Sequence, residues 1–114
     1  MPDPGDVVTV EFPGATGVKR RPAVVVSTET YHAHRPDLVL ALLTTQTASS
    51  HAPTDYVLQD WAAAGLRQPS AFRAYFTMKT PLQVSVIGRL SARDWDAAQE
   101  RLAVAISVPK TKNP

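Results

Sequence analysis

The sequence predicts a mainly β fold of the α+β class, a small antiparallel β-barrel with one amphipathic helix at the C-terminal end. Runs rich in β-branched and aromatic residues outnumber the segments with helical spacing. Short connections with turn residues separate these runs, which is typical of antiparallel neighbours. Only residues 92–108 place several apolar side chains on one helical face. These observations favour a small barrel.

The strands are expected where the apolar residues cluster. They are residues 7–12, 23–26, 38–43, 55–58, 70–78 and 84–90. Pro22 is expected to be at the start of the second strand, because proline lacks the N–H that an interior position of a β-ladder needs. Residues 13–17, rich in proline and glycine, predict a flexible loop, and the polar residues 27–37 predict a second connection.

The last half of the chain carries the helical signals. Residues 59–65 predict one helical turn that ends at a glycine. Ser91 is the expected N-cap of the C-terminal helix, with an acid, Asp94, at its third position. The apolar face of this helix comprises Trp95, Ala98, Leu102, Ala105 and Ile106. Residues 109–114 are expected to fray.

The composition is that of a single globular domain over residues 1–114. Hydrophobic residues make up 44% of the chain, and neither repeats nor linkers divide it. The absence of cysteine excludes disulfides and thiolate metal sites, and it fits a reducing compartment such as the cytoplasm. The chain shows no apolar run of membrane-spanning length and no signal-peptide pattern at its N-terminus. We therefore expect a cytoplasmic protein with no membrane partner.

The charge is uneven along the chain, although its net value is only +2. Residues 1–52 hold four Lys/Arg against five Asp/Glu, a balance of −1, and residues 53–114 hold eight against five, a balance of +3. This mild basic bias permits an anionic partner such as nucleic acid without demanding one.

Two arginines stand where a buried strand is expected to begin. Arg20 and Arg21 directly precede Pro22 and the β-branched run that follows it. A strand that is fixed by core packing would hold these guanidinium groups rigidly at its start. Guanidinium offers a planar fork of donors that matches phosphate oxygens, so the pair is a candidate anion site. The alternative, from these residues alone, is a solvated rim without a ligand.

A register argument brings one of these arginines next to a hydroxyl group. If the second and third expected strands pair antiparallel with Val26 opposite Val39, the numbers of paired residues sum to 65. Arg21 then lies opposite Thr44, with Cα atoms about 4.5–5.5 Å apart. A slip of one residue would send one side chain to the other face, and the sequence alone leaves this register open.

The other motifs indicate no cofactor chemistry. The chain has no Gly-rich dinucleotide motif, phosphate-binding loop, HExxH or GxSxG. His32, His34 and His51 lack a nearby acidic cluster and are expected to be solvated rather than bound to a metal. The acids of the predicted helix complement its dipole and its solubility. These acids are Asp94, Asp96 and Glu100.

Several short motifs carry a resemblance to a known family. The first are Gly5-Asp6-Val7-Val8, Arg20-Arg21-Pro22-Ala23-Val24-Val25-Val26-Ser27 and Leu40-Ala41-Leu42-Leu43-Thr44. Further matches follow at Gly65-Leu66, Pro69-Ser70, Phe76-Thr77 and Ile87-Gly88-Arg89-Leu90-Ser91. In this order, over residues 5–107, the chain resembles the MazF/PemK family of toxin–antitoxin ribonucleases.

The resemblance implies a homodimeric SH3-like barrel that cuts single-stranded RNA without a metal or other cofactor and is neutralised by a cognate antitoxin. The family's catalytic arginine precedes the proline of the Arg-Pro motif and corresponds to Arg21. Its catalytic threonine ends the second apolar strand and corresponds to Thr44. Residues 13–19 depart from many members, because they hold no Glu or Gln. The residues expected to bind RNA are Lys19, Arg20, Thr45, Arg73 and Lys79.

The expected reaction is attack of the RNA 2′-hydroxyl on the adjacent phosphorus, which leaves a 2′,3′-cyclic phosphate and a 5′-hydroxyl. Arg21 would stabilise the developing charge, and Thr44 would position a phosphate oxygen. One alternative is a non-enzymatic toxin resembling CcdB, which shares the fold and binds DNA gyrase. Another is a degenerate member that only binds RNA or an antitoxin. The Arg-Pro motif and Thr44 favour the nuclease, because a gyrase-binding protein has no need of them.

Overall fold

The computed structural model describes residues 1–14 and 17–107. Six strands form one sheet in the order β4-β5-β3-β2-β1-β6, and each neighbouring pair is antiparallel. The elements in chain order are β1 (Asp6–Gly14), β2 (Gly17–Val25), α1 (Glu29–His34), β3 (Leu38–Thr44), β4 (Tyr56–Val57), β5 (Ala71–Lys79), β6 (Ser85–Arg89) and α2 (Ala92–Ala105). Single 3₁₀ turns lie at Thr47–Ser49 and Pro81–Gln83. The sheet curls into a half-barrel, and with the terminal helix it confirms the predicted fold class.

The hairpin of β1 and β2 is longer than the sequence predicts. Pro13 pairs with Val18 and Gly14 pairs with Gly17, so most of the loop predicted at residues 13–17 is strand instead. Residues 15 and 16 lie outside the described residues. Strand β2 continues through Pro22 because β1 pairs with it from Gly17 to Val24, whereas its ladder to β3 starts only at Ala23. Proline is tolerated where a strand needs no donor on one side.

Helix α1 lies where the sequence predicts only a connection. Its N-cap is Thr28, whose Oγ1 accepts a hydrogen bond from the backbone N–H of Tyr31 at 3.2 Å. The helix ends at His34, and its C-cap, Arg35, has extended backbone angles because the proline that follows disfavours helical backbone there. None of its residues is buried, so the segment has no apolar stripe from which a helix could have been inferred.

The pairing of β2 with β3 has the register that the sequence argument assumed. Ala23 lies opposite Leu42 and Val25 lies opposite Leu40. The backbone N–H of Val26 donates to the carbonyl oxygen of Val39 at 2.9 Å, so the structure resolves the register that the sequence left open. This register decides which polar side chains at the end of the sheet share a face.

Each face of the sheet carries a hydrophobic cluster, because side chains alternate along every strand. The first cluster packs against α2 and includes Val7, Val24, Leu43, Phe72 and Ala98. The second lies on the opposite face and includes Val8, Val10, Ala23, Leu40 and Leu42. The apolar parts of β2 and β3 are therefore buried on both faces of the sheet, and this packing holds the two strands rigidly.

Helix α2 begins as predicted and ends early. Ser91 is its N-cap, with its Oγ accepting a hydrogen bond from the Asp94 N–H at 3.3 Å. The helix ends at Ala105, and Ile106 has extended backbone angles, so the predicted range of 92–108 is too long. Residues 108–114, including the tail expected to fray, lie outside the described residues. No helix in the described part of the chain is long and apolar enough to cross a membrane.

Asp94 is not the solvated helix acid that its position predicts. Its side chain is fully buried, and its carboxylate accepts three hydrogen bonds. The donors are the Tyr56 hydroxyl at 2.8 Å and the backbone N–H groups of Gln59 at 3.1 Å and Asp60 at 2.8 Å. These bonds offset the cost of removing the charge from water. The other two helix acids, Asp96 and Glu100, are exposed as expected.

A close backbone approach joins the segment after β4 to β6. Residues 61–65 form a single hydrogen-bonded turn, in which the Ala64 N–H donates to the Asp60 carbonyl oxygen at 3.2 Å, so the helical turn predicted at residues 59–65 is present in its second half. Gly65 ends it with φ of +89°, a conformation that side chains disfavour. A methyl group at Gly88 would overlap the carbonyl oxygen of Ala64, so glycine is needed on β6 as well. This contact lies beside a cleft described below.

Candidate active site

Arg20 and Arg21 lie on opposite faces of β2, because neighbouring residues of a strand alternate. Arg21 pairs with Val10 and shares its face with the second cluster. Arg20 pairs with Glu11 and lies on the face of the first cluster. The Arg-Arg motif therefore supplies one guanidinium group to each side of the sheet.

The cleft on the Arg21 side has a volume of about 290 Å³, and we call it the Arg21 cleft. Its lining residues are Phe12, Pro13, Arg21, Leu42, Thr44, Gln46, Arg73 and Tyr75. The structure thus places Arg21 and Thr44, the two residues expected to be catalytic, in the same concavity. Their common face follows from the register of β2 and β3.

Thr44 is held in place by the backbone that follows it. It is only 7% exposed, and its Oγ1 accepts a hydrogen bond from the Gln46 N–H at 3.2 Å. Since the oxygen accepts this bond, the hydroxyl hydrogen can be donated to an oxygen in the cleft. A threonine hydroxyl arranged in this way is a positioned donor, and it is too weak a base to remove a proton near neutral pH.

Arg73 is the second cation of the Arg21 cleft. Its Nη2 donates to Ser49 Oγ at 3.1 Å and its Nε to Ser50 Oγ at 3.3 Å, so two serines orient its guanidinium group. The ion pairs formed within residues 1–14 and 17–107 involve neither Arg21 nor Arg73. Among the lining residues that the structure describes, none is Asp or Glu. Two guanidinium groups without a lining acid make this cleft attractive to an anion.

Tyr75 adds an aromatic surface that sequence reasoning missed. It is 57% exposed, and its ring meets Phe12 edge to face with centroids 6.1 Å apart. An exposed aromatic ring beside cations is a stacking surface for an unpaired base. Arg73 and Tyr75 lie two apart on β5, so strand alternation could have placed both on one face.

The remaining residues predicted to bind RNA are dispersed. Arg20 and Thr45 line a second cleft on the opposite face of the sheet. Lys19 is exposed and pairs with Phe12, so it lies at the rim of the Arg21 cleft without lining it. Lys79 pairs with Leu38, at the other end of β3 from Thr44, and is remote from both clefts.

The histidines lie outside both clefts. His34 and His51 are exposed, as expected. His32 is half-buried instead, with Nε2 2.6 Å from Ser27 Oγ. Within the described ranges, no group of three or more His, Cys, Asp or Glu residues is arranged to hold a metal ion.

The family to which the chain belongs is shown by a sequence model. The model of the PemK-like, MazF-like toxin of type II toxin–antitoxin systems matches residues 3–106. The chain belongs to this family. No curated protein shows a significant match to it.

Solved structures of MazF-like toxins have the same fold. An endoribonuclease in complex with its cognate antitoxin, from a mycobacterial species, is 19% identical with a TM-score of 0.77, covering 97% of this chain and 100% of the other. The Mycobacterium tuberculosis toxin MazF-mt6 is 22% identical with a TM-score of 0.65, over 85% and 93% of the two chains. A MazE–MazF structure from Deinococcus radiodurans is 19% identical with a TM-score of 0.65, over 91% and 94%.

Proposed function

We propose that this PemK-like protein is an endoribonuclease toxin that cuts single-stranded RNA in the cytoplasm without a metal ion. The observation that carries the proposal is the Arg21 cleft, where Arg21, Thr44 and Arg73 converge without an opposing acid. Similar structures described as endoribonucleases support it. The gyrase-binding alternative leaves this cleft without a role.

The cleft is suited to RNA cleavage in which the 2′-oxygen of the strand itself attacks the adjacent phosphorus. The 2′-hydroxyl of the RNA loses its proton and its oxygen attacks the adjacent phosphorus. The bond from phosphorus to the 5′-oxygen breaks and that oxygen takes up a proton, so a 2′,3′-cyclic phosphate and a 5′-hydroxyl result with no net change in protons. Negative charge accumulates on the non-bridging oxygens as the five-coordinate phosphorus forms. Donors that are already aimed at those oxygens stabilise this state more than the ground state.

Each polar residue of the cleft then has a distinct role. Arg21 is charged at any physiological pH and clamps the non-bridging oxygens through its planar fork. Thr44 donates its hydroxyl hydrogen to one of them. Arg73, oriented by its two serines, supplies a second positive charge to the same phosphate or its neighbour.

The shape of the cleft favours an unpaired strand. A volume of about 290 Å³ is too small for a duplex, and Tyr75 presents its ring beside the cations. Recognition of RNA sequence relies mostly on unstacked bases that can be splayed onto aromatic side chains. We therefore assign Tyr75 to stacking against a base next to the cut.

A cognate antitoxin is the proposed inhibitor. Two similar structures are complexes of a toxin with its antitoxin. An acidic segment would compete with RNA for the two guanidinium groups of the Arg21 cleft. Lys79 was expected to join this contact, but it lies at the far end of β5 and takes no part in the proposal.

A homodimer is the proposed assembly. Leu102 and Trp95, on the apolar face of α2, are half-buried against the first cluster. Ile106 is still 45% exposed and lines an apolar groove with Val26 and Val39. Light scattering at micromolar concentration is expected to give twice the monomer mass, and a monomer alone would contradict this assembly.

The test of the proposed function is cleavage of a mixed-sequence single-stranded RNA by purified protein in EDTA. We expect products that end in a 2′,3′-cyclic phosphate and a 5′-hydroxyl, and no cutting of the matched duplex. RNA that stays intact with EDTA but is cut with added Mg²⁺ would contradict the metal-free chemistry. RNA that stays intact under both conditions would contradict the nuclease assignment.

A further inference from the structure

The larger of the two clefts at this end of the sheet belongs to Arg20. It has a volume of about 390 Å³ and lies on the opposite face of β2 from the Arg21 cleft. Besides Arg20, its lining includes Arg67, Thr45 and Ser70 on the polar side and Leu66 and Ile87 on the apolar side. We call it the Arg20 cleft. Its volume lies within the range of small-ligand pockets.

Arg20 is held in a fixed orientation. Its Nε donates to Thr9 Oγ1 at 3.1 Å, and its Nη2 donates to the Thr9 carbonyl oxygen at 3.3 Å and to Ser85 Oγ at 3.1 Å. Glu11 lies opposite Arg20 in the hairpin. In the described part of the chain, however, Glu11 and Arg20 do not form an ion pair. The side chain is thus anchored by neutral groups and keeps its full charge available.

The lining is suited to an anion joined to an apolar ring. Arg20 and Arg67 are the only charged residues among the described residues of the lining, and both are positive. Thr45 adds a hydroxyl group. Leu66 and Ile87 add apolar surface to the lining, which suits a base or a ribose rather than a bare phosphate ion. A nucleotide combines both chemistries.

The two clefts flank the same end of the sheet, and we call the strand residues between them the rim. Arg20 and Arg21 are consecutive on β2, and Thr44 and Thr45 are consecutive at the end of β3, with one member of each pair in each cleft. Consecutive Cα atoms are about 3.8 Å apart, so a chain passing over this rim touches both sides. A single strand of RNA is flexible enough to turn over such an edge.

We infer that the Arg20 cleft is a second nucleotide subsite, which binds a phosphate and nucleoside flanking the cut in the same RNA strand. The inference rests on the proposed function, because it places the scissile phosphate in the Arg21 cleft. The RNA then crosses the end of the sheet from one face to the other. Arg67, which sequence reasoning did not select, becomes a residue that holds the flanking phosphate.

The experiment compares an extended RNA with a dinucleotide that fills only the Arg21 cleft. In Arg67→Ala, we expect KM for the extended RNA to rise about tenfold, the loss typical of one charge-assisted hydrogen bond, with kcat little changed. The extended RNA should lose most of its advantage over the dinucleotide. Arg35→Ala is the matched control, because this exposed arginine lines neither cleft.

Binding gives a second readout that does not depend on cleavage. In an Arg21→Ala background, affinity for a single-stranded RNA is measured over a range of salt concentrations. Adding Arg67→Ala should reduce the slope of log K against log salt by about 0.7, the value for one phosphate contact on a single strand. Adding Arg35→Ala should leave the slope as it was.

Two results would overturn the inference. One is that Arg67→Ala behaves like Arg35→Ala in both KM and salt slope. The other is that Arg67→Ala leaves RNA binding intact but weakens binding of polyglutamate, which would assign the cleft to an acidic protein partner. Failure of the proposed function would look different: the wild-type protein would cut no RNA, while the salt slope would still report on the subsite.

Discussion

Arg21 on β2 and Thr44 at the end of β3 line the same cleft, on the face of the sheet opposite to helix α2. This relationship depends on the β2–β3 register, since a shift of one residue would separate the two side chains. The apolar parts of both strands are buried on both faces of the sheet, so packing strongly specifies the register. The core of the domain therefore determines the geometry of the proposed site.

Thr44 can be tested with two substitutions that separate its hydroxyl from its methyl group. Thr44→Ala removes the proposed donor, so we expect kcat to fall on the order of 10²–10³. It also leaves the Gln46 N–H without its acceptor, at a cost of about 1 kcal/mol in the free energy of unfolding. Thr44→Ser keeps the hydroxyl group and should cut within a few-fold of the wild-type rate. Equal loss in both variants would show that the methyl group matters, not the donor.

Tyr75 is expected to act through its ring. Tyr75→Ala should raise KM for single-stranded RNA by roughly 5- to 150-fold, which corresponds to about 1–3 kcal/mol of base stacking. Tyr75→Phe keeps the ring and should stay close to wild type. Steady-state kinetics on a short RNA distinguish the two. An unchanged KM in Tyr75→Ala would remove the stacking role.

Asp94 is expected to be structural. Asp94→Ala takes the acceptor from the Tyr56 hydroxyl and from the N–H groups of Gln59 and Asp60, all of which face a fully buried side chain. At about 1–3 kcal/mol for each orphaned group, the free energy of unfolding should fall by roughly 3 kcal/mol or more. Asp96→Ala, on the exposed side of α2, should change it by no more than about 0.5 kcal/mol. Urea denaturation measures both, and similar midpoints for the two variants would be inconsistent with this role.

Asp60 makes the free energy of unfolding depend on pH in the acid range. The hydrogen bonds from Arg93, at 2.7 Å to each carboxylate oxygen, lower the pKa of Asp60 from 3.8 to about 2, and the Ser91 hydroxyl adds to this. Because the folded pKa lies below the unfolded one, the stabilisation is complete above pH 3.8 and is lost as the pH falls through about 2.

Denaturation between about pH 4 and pH 2 checks this pH dependence. The wild-type protein should lose stability over that interval more steeply than Asp60→Asn, which has no carboxyl group to protonate there. Asp96→Asn is the control for the general effect of removing an acid, and it should keep the wild-type slope. Parallel curves for wild type and Asp60→Asn would show that the contact with Arg93 contributes nothing to folding in acid.

Much of the fold could be predicted from the sequence, because apolar runs report on burial. Placing two such runs side by side with Val26 opposite Val39 puts Arg21 opposite Thr44, but the sequence alone leaves that register open. Helix α1 could not be predicted in this way, since it buries none of its residues. The length of β2 was missed because its first part carries charged and polar side chains and owes its structure to pairing with β1.

The site was harder to predict where its parts depend on distant partners. Asp94 was assigned to solvent because nothing near it in sequence shows that backbone N–H groups of residues 59 and 60 would reach it. Arg67 sits in a loop whose position beside Arg20 is created by the contact of Gly65 with β6. Lys79 was expected to bind RNA on the strength of the resemblance, and the structure places it opposite Leu38 at the far end of β5, away from both clefts.

The most direct test of the proposed site is the initial rate of cleavage of a single-stranded RNA by Arg21→Ala in EDTA, beside Arg35→Ala as the charge-matched control. We expect Arg21→Ala to cut 10²–10³-fold more slowly than wild type, on the order of the loss of one oriented oxyanion donor. Both variants should melt at nearly the wild-type temperature, because neither side chain fills the core. An Arg21→Ala protein that melts normally and cuts at the rate of Arg35→Ala would show that the active site is not in this cleft.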